Sequence, residues 1–113
     1  MILDGQRLDE LRQLCAQSGQ EALFGQMVQQ FVQSLHEAMA ELEALGDDDK
    51  FPILHALKGR CGTMGATALA HAVEMAENTE LDQQGAMIEQ VKILIDQSIK
   101  ELLKHIGKTD LDS

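Results

Sequence analysis

Residues 23–45 read LFGQMVQQFVQSLHEAMAELEAL. Leu23, Met27, Phe31, Leu35, Ala38, Leu42 and Leu45 recur at steps of three and four, the spacing that lays one apolar stripe along a helix. This predicts a helix from about Gln20 to Leu45, with Gly46 as its C-terminal cap. Upstream, Ser18-Gly19 breaks the pattern. A short first helix is expected from about Gly5 to Ala16, capped by Asp4, with Leu8, Leu11, Leu14 and Cys15 inward. Downstream, Asp47, Asp48 and Asp49 offer N-cap and first-turn carboxylates for a third helix. Pro52 fits its first turn, and Gly65 stops it after Met64. Thr67 is expected to cap a fourth helix that turns Leu69, Ala72, Val73 and Ala76 inward. Asn78 to Gln84 is turn-like. A fifth helix from about Gly85 to Ile106 buries Ile88, Val91, Ile95, Ile99, Leu102 and Ile106. Gly107 ends it, and residues 108–113 are expected to fray. No strand pattern appears. The expected fold is all-α: an antiparallel four-helix bundle with a short additional N-terminal helix, forming one domain over residues 1–113.

Composition supports that reading and narrows the function. The chain has 113 residues, 19 acidic and 9 basic, for a net charge of −10. Phosphate binding along nucleic acid needs a basic surface, so nucleic acid is not an expected partner. With three Phe, no Tyr, no Trp and one Pro, a β-sandwich is disfavoured. Cys15 and Cys61 make no disulfide framework and read as buried thiols. No leader opens the chain, and no apolar run approaches the ~20 residues that span a bilayer. A soluble, cytoplasmic monomer is expected.

The third helix carries an anomaly. Gly59, Gly62 and Gly65 fall within seven residues. Gly65 serves as a helix stop, but Gly59 and Gly62 lie inside the helix, each at a cost of about 1 kcal/mol relative to Ala. At 100° per residue, Ile53, Leu54, Leu57, Cys61 and Met64 share the core side. His55, Lys58, Gly59 and Gly62 share the other, at i, i+3, i+4 and i+7. That face presents an imidazole beside an ammonium over a strip without side chains, so a partner can bring a bulky group up to the ring. An imidazole nitrogen is a good nucleophile at physiological pH. Phosphoryl transfer is mostly positioning plus charge stabilisation, which Lys58 can supply. No metal cage, oxyanion hole or nucleotide loop accompanies the pair, which suits a passive acceptor and donor better than a complete active site.

His55 to Ala66, H-A-L-K-G-R-C-G-T-M-G-A, resembles the histidine-containing phosphotransfer (HPt) domains of bacterial and plant phosphorelays. Their pattern is H-x-L-K-G, followed six residues after that glycine by G-A, and His55, Leu57, Lys58, Gly59, Gly65 and Ala66 match it. Helix lengths and order extend the resemblance over nearly the whole chain. At Arg60 and Cys61, many members carry small Ser or Ala; Arg60 could add to a basic patch or alter partner fit. The resemblance implies a phosphocarrier of two-component signalling. His55 would take a phosphoryl group, normally on Nε2, from a receiver-domain aspartate and pass it to another. The partners would be receiver domains of response regulators and of hybrid sensor kinases. The chain itself would need no cofactor, because the magnesium belongs to the receiver. In the related domain of chemotaxis kinases a glutamate on the following helix fixes the histidine tautomer, and the corresponding position is Glu77; many family members lack a glutamate there, and an ordinary solvated carboxylate is the other reading. An ATP-dependent kinase would need a nucleotide-binding domain, for which 113 residues leave no room, so the chain is not expected to be an enzyme.

Other residues have plainer readings. His36, His71 and His105 lack comparable company and read as structural or solvent-facing, and no Glu-x-x-His pair suggests a metal site. The methionines are mostly gap-filling core, although Met64 and Phe51, near the histidine helix, could instead help form a docking patch. Beside the phosphocarrier stands one alternative of another class, a non-catalytic module that sequesters a receiver domain. The intact His-x-Leu-Lys-Gly favours the carrier.

Overall fold

The computed structural model describes residues 2–45 and 50–105, the side chain of Leu81 excepted. Asp4 opens α1 (Gly5–Gln17), its carboxylate accepting from the Arg7 amide at 3.2 Å. α2 spans Glu21–Leu45 and α3 spans Phe51–Met64, with Pro52 in its first turn. Gly65 ends α3 in the left-handed region at φ 73°. α4 (Thr67–Glu77) leads through a 3-10 turn at Leu81–Gln83 into α5 (Gln84–His105). No strand occurs among the described residues. Gly46, Asp47–Asp49 and the expected end at Ile106 and Gly107, with the tail 108–113, lie outside them.

α2, α3, α4 and α5 form a closed ring of neighbours: α2 packs on α3, α3 on α4, α4 on α5 and α5 back on α2. The core holds Leu35, Leu42, Leu54, Leu69, Val73, Val91, Ile95 and Leu102, all essentially without solvent contact. Gln84 ties α5 to α4 by donating its side-chain amide to the Ala76 carbonyl at 2.7 Å.

α1 packs against α2 and caps the end of the bundle where α3 and α5 finish. Its Arg7 Nε donates to the Thr63 carbonyl at 3.3 Å, and Arg12 donates to the His105 carbonyl at 2.7 Å. These contacts satisfy carbonyls that helix ends otherwise leave open. Arg12 also sits over the Phe24 ring, 4.9 Å from its centroid. The segment before α1 lies against the α3–α4 corner: the Asp4 amide donates to the Gly65 carbonyl at 2.7 Å, and the Ala68 amide donates to the Ile2 carbonyl at 3.3 Å.

Four expectations are corrected here. The N-cap of α3 is Lys50, without a side-chain capping bond, and no acidic residue stands in the first turn, so none of Asp47–Asp49 takes the N-cap or first-turn position expected of it. Leu14 is 57% exposed rather than inward. In α2 the first half of the stripe is shifted by one residue: Leu23 is exposed and Met27 only half-buried, while Phe24 and Val28 are buried. Positions 23–24, 27–28 and 31–32 are all apolar pairs, so the sequence period admits two phases. Packing of α2 against α1 and beneath Arg12 selects the second. Thr67 does not cap α4; the N-cap is Ala66, fully buried and without a side-chain bond. The Ile2 carbonyl meets one of the open donors of that helix start instead.

Candidate functional site

The face of α3 turned away from the core carries the site. Leu54, Leu57 and Cys61 are buried on the inner side, so the 100° step sends His55, Lys58, Gly59 and Gly62 outward. Burial pushes the Cys61 thiol up to about 12, so that sulfur stays protonated and unreactive.

The His55 side chain is 69% exposed. Its Nδ1 lies 3.7 Å from Oε2 of Glu77, on α4, whose side chain is only 8% exposed. That distance is just beyond hydrogen-bond length, yet a carboxylate so close favours the tautomer with its proton on Nδ1. The lone pair is then left on Nε2. Oε1 of Glu77 is buried with no hydrogen-bond partner. A carboxylate left half-satisfied in that position costs stability, unlike an ordinary solvated glutamate. Phe51, one turn before His55, stacks on the imidazole with ring centroids 5.6 Å apart and planes 14° from parallel.

One turn after His55, Lys58 places Nζ 3.9 Å from Oε1 of Glu74. Both side chains are substantially exposed, so this pair is weak. A Cβ added at Gly59 or Gly62 would meet nothing within 4 Å. Those glycines therefore leave open surface and admit no neighbouring helix. An open pocket is lined by Arg7, His55, Lys58, Gly59, Gly62 and Thr63.

Arg7 is the member that sequence reasoning missed. It comes from α1, and no local spacing links it to His55; it arrives because Asp4 and Ile2 hold the chain start against the α3–α4 corner. Each basic side chain at the site has a carboxylate beside it: Arg7 has Glu10 at 3.8 Å, Lys58 has Glu74 and the His55 imidazole has Glu77. The site is thus locally balanced and not a bare basic patch.

Two docking candidates fall elsewhere. Met64 is 5% exposed and belongs to the core, so it offers little surface for docking. It sits on the inner arc with Leu57 and Cys61, where the helical period put it. Arg60 is exposed, but it lines grooves between α3 and α2 with Ser34, Glu37 and Phe31, not the His55 pocket. It follows Gly59 by one residue, and one 100° step is enough to carry it onto that flank.

His36 and His71 are exposed and His105 is half-buried, all away from the pocket. A larger groove lined by Leu42, Lys50, Gln84, Ile88 and Lys92 shares no residue with the His55 pocket and contains neither histidine nor cysteine. Among the described residues, no group of three or more His, Cys, Asp and Glu side chains is placed to hold a metal ion. No described helix is long and apolar enough to cross a membrane.

No curated protein and no solved structure matches the chain significantly. The family model described as Hpt domain matches residues 26–103, which takes in α3, α4 and all but the ends of α2 and α5. With the all-α bundle, the exposed histidine on its glycine strip and this match over most of its length, the chain belongs to the Hpt domain family, the histidine phosphotransfer domains of phosphorelays.

Proposed function

We propose that this chain is a phosphocarrier that accepts a phosphoryl group on Nε2 of His55 from a receiver-domain aspartyl phosphate and passes it to an aspartate of another receiver. The observation that carries this reading is the placement of His55, exposed over an open glycine strip, with a buried carboxylate 3.7 Å from Nδ1. In the forward step the Nε2 lone pair attacks phosphorus. The bond from phosphorus to the aspartyl oxygen breaks, and its electron pair leaves with the carboxylate. The proton stays on Nδ1, facing Glu77, so the phosphorylated ring is cationic and its charge is met by that carboxylate. In the return step a receiver carboxylate attacks phosphorus and the imidazole leaves neutral. No ATP and no nucleotide site are required of this chain, and magnesium is supplied by the receiver.

Lys58 releases Glu74 and neutralises phosphoryl oxygens as the group moves between proteins. Gly59 and Gly62 let the receiver surface approach. The partners are receiver domains of response regulators and hybrid sensor kinases, met in the cytoplasm by a monomer formed of one domain. The test is incubation with labelled phospho-receivers, followed by mapping of acid-labile phosphate. Phosphate on His55 that a second receiver can remove is the expected result. Tight docking with no phosphate acceptance would replace this reading with the sequestration module.

A further inference from the structure

The chain has three phenylalanines. Phe24 and Phe31 are buried at 4% and 5% exposure, whereas Phe51 is 46% exposed. Leaving a large aromatic surface in water forgoes burial that a core position would gain. This ring lies nearly parallel to the imidazole of His55, four residues later on the same helix. Positions i and i+4 share a helix face, so the stack follows directly from the register of α3. The offset, near-parallel arrangement is one that aromatic pairs favour.

An imidazole this exposed has a broad, roughly two-fold torsion about its outer bond. Glu77 restrains one edge of the ring, through Nδ1. A single contact at one edge still allows the ring to swing about that contact. A second ring against one face removes the swing. The Nε2 lone pair lies in the imidazole plane, so fixing the plane fixes the line along which the bond to phosphorus forms and breaks. Transfer between His55 and an aspartyl oxygen needs the two in line across phosphorus, and holding reacting atoms in that line is a large part of what a protein can add.

Resting on the phosphocarrier reading, we infer that Phe51 is a positioning residue for phosphotransfer: stacked on His55, it sets the plane of the imidazole, while Glu77 sets its tautomer. Phe51 does not touch the phosphoryl group and acts only through the histidine ring. A residue that merely supplied apolar docking surface would be replaceable by leucine. One that stacks is replaceable only by another flat ring.

Phe51→Ala, Phe51→Leu and Phe51→Tyr in the full chain test this. Because the side chain is half-exposed, all three are expected to stay folded by circular dichroism. Single-turnover transfer at saturating phospho-receiver should fall roughly tenfold in the Ala and Leu variants and remain near wild type in Tyr, with receiver Kd little changed throughout. NMR of the isolated protein gives a reading independent of transfer. The His55 ring protons should carry a ring-current shift in wild type and Tyr that disappears in Ala and Leu. A Leu or Ala variant as fast as wild type, a rate loss matched by an equal loss of receiver affinity, or no ring-current shift on His55 in wild type would each overturn the positioning role and leave the carrier reading intact. If wild type accepts no phosphate from phospho-receivers, the carrier reading fails and the inference fails with it.

Discussion

Gly59 and Gly62 on the outer face of α3 and Gly65 at its end are spaced three residues apart, yet the fold uses them for opposite purposes. A Cβ at Gly59 or Gly62 meets nothing within 4 Å. At Gly65 it would come within 3.2 Å of Arg7 Cβ and Cγ and of the Asp4 carbonyl, at a backbone φ of 73°. The outer pair faces open space, and the corner glycine is kept small by the chain itself. Helix propensity charges every interior glycine alike; only the surroundings distinguish a glycine that could be replaced at a gain in stability from one that could not.

The largest expected effect lies on the outer face. His55→Gln should abolish acid-labile phosphate on the chain while leaving the thermal melt nearly unchanged, because a 69% exposed side chain holds little of the core. Residual phosphate in that variant would move the acceptor elsewhere, and a collapsed melt would make His55 structural. Next comes the corner. Gly65→Ala should destabilise the fold by about 1–3 kcal/mol, the range for a non-glycine residue in a sparsely populated backbone region. Denaturant melts would show it, and an unchanged midpoint would erase the contrast between the two kinds of glycine.

The sharpest comparison is at Gly62. Gly62→Ala should stabilise the chain by up to about 1 kcal/mol from helix propensity and slow transfer or weaken docking. Gly62→Gln should remain folded and impair transfer much more. A lower melting temperature for the Ala variant would show that the position packs against something after all. The smallest expected effect is at Lys58. Its Ala variant should slow single-turnover transfer more than it raises receiver Kd, since the exposed pair with Glu74 contributes little to stability. A large affinity loss at unchanged maximal rate would make Lys58 a docking residue.

Much of this was legible from residues 1–105 in order. The helix period, the stops at Ser18-Gly19 and Gly65, the Asp4 cap and the buried faces of α4 and α5 follow from local chemistry, which a neighbour-by-neighbour reading captures. The outward face of His55, Lys58, Gly59 and Gly62 follows from the same 100° step. The phase of α2 does not, because adjacent apolar pairs such as Leu23-Phe24 leave two stripes equally apolar. Leu14 was misplaced for a related reason: on a short end-capping helix, an apolar residue at the right spacing has no neighbour across from it.

Sequence by itself determined where the helices run and which residues share the outward stripe of α3, since both depend on spacing within one helix. Tertiary structure decided what meets that stripe, apart from Glu77, which the family resemblance also indicates. The antiparallel register of α3 against α4 sets Glu77 at Nδ1 of His55 and Glu74 at Lys58. Docking of the chain start at the corner brings Arg7 to the pocket. The same packing shows that Gly59 and Gly62 face open space while Gly65 is enclosed. Contacts between separate helices depend on their register and rotation, and a one-dimensional period carries neither.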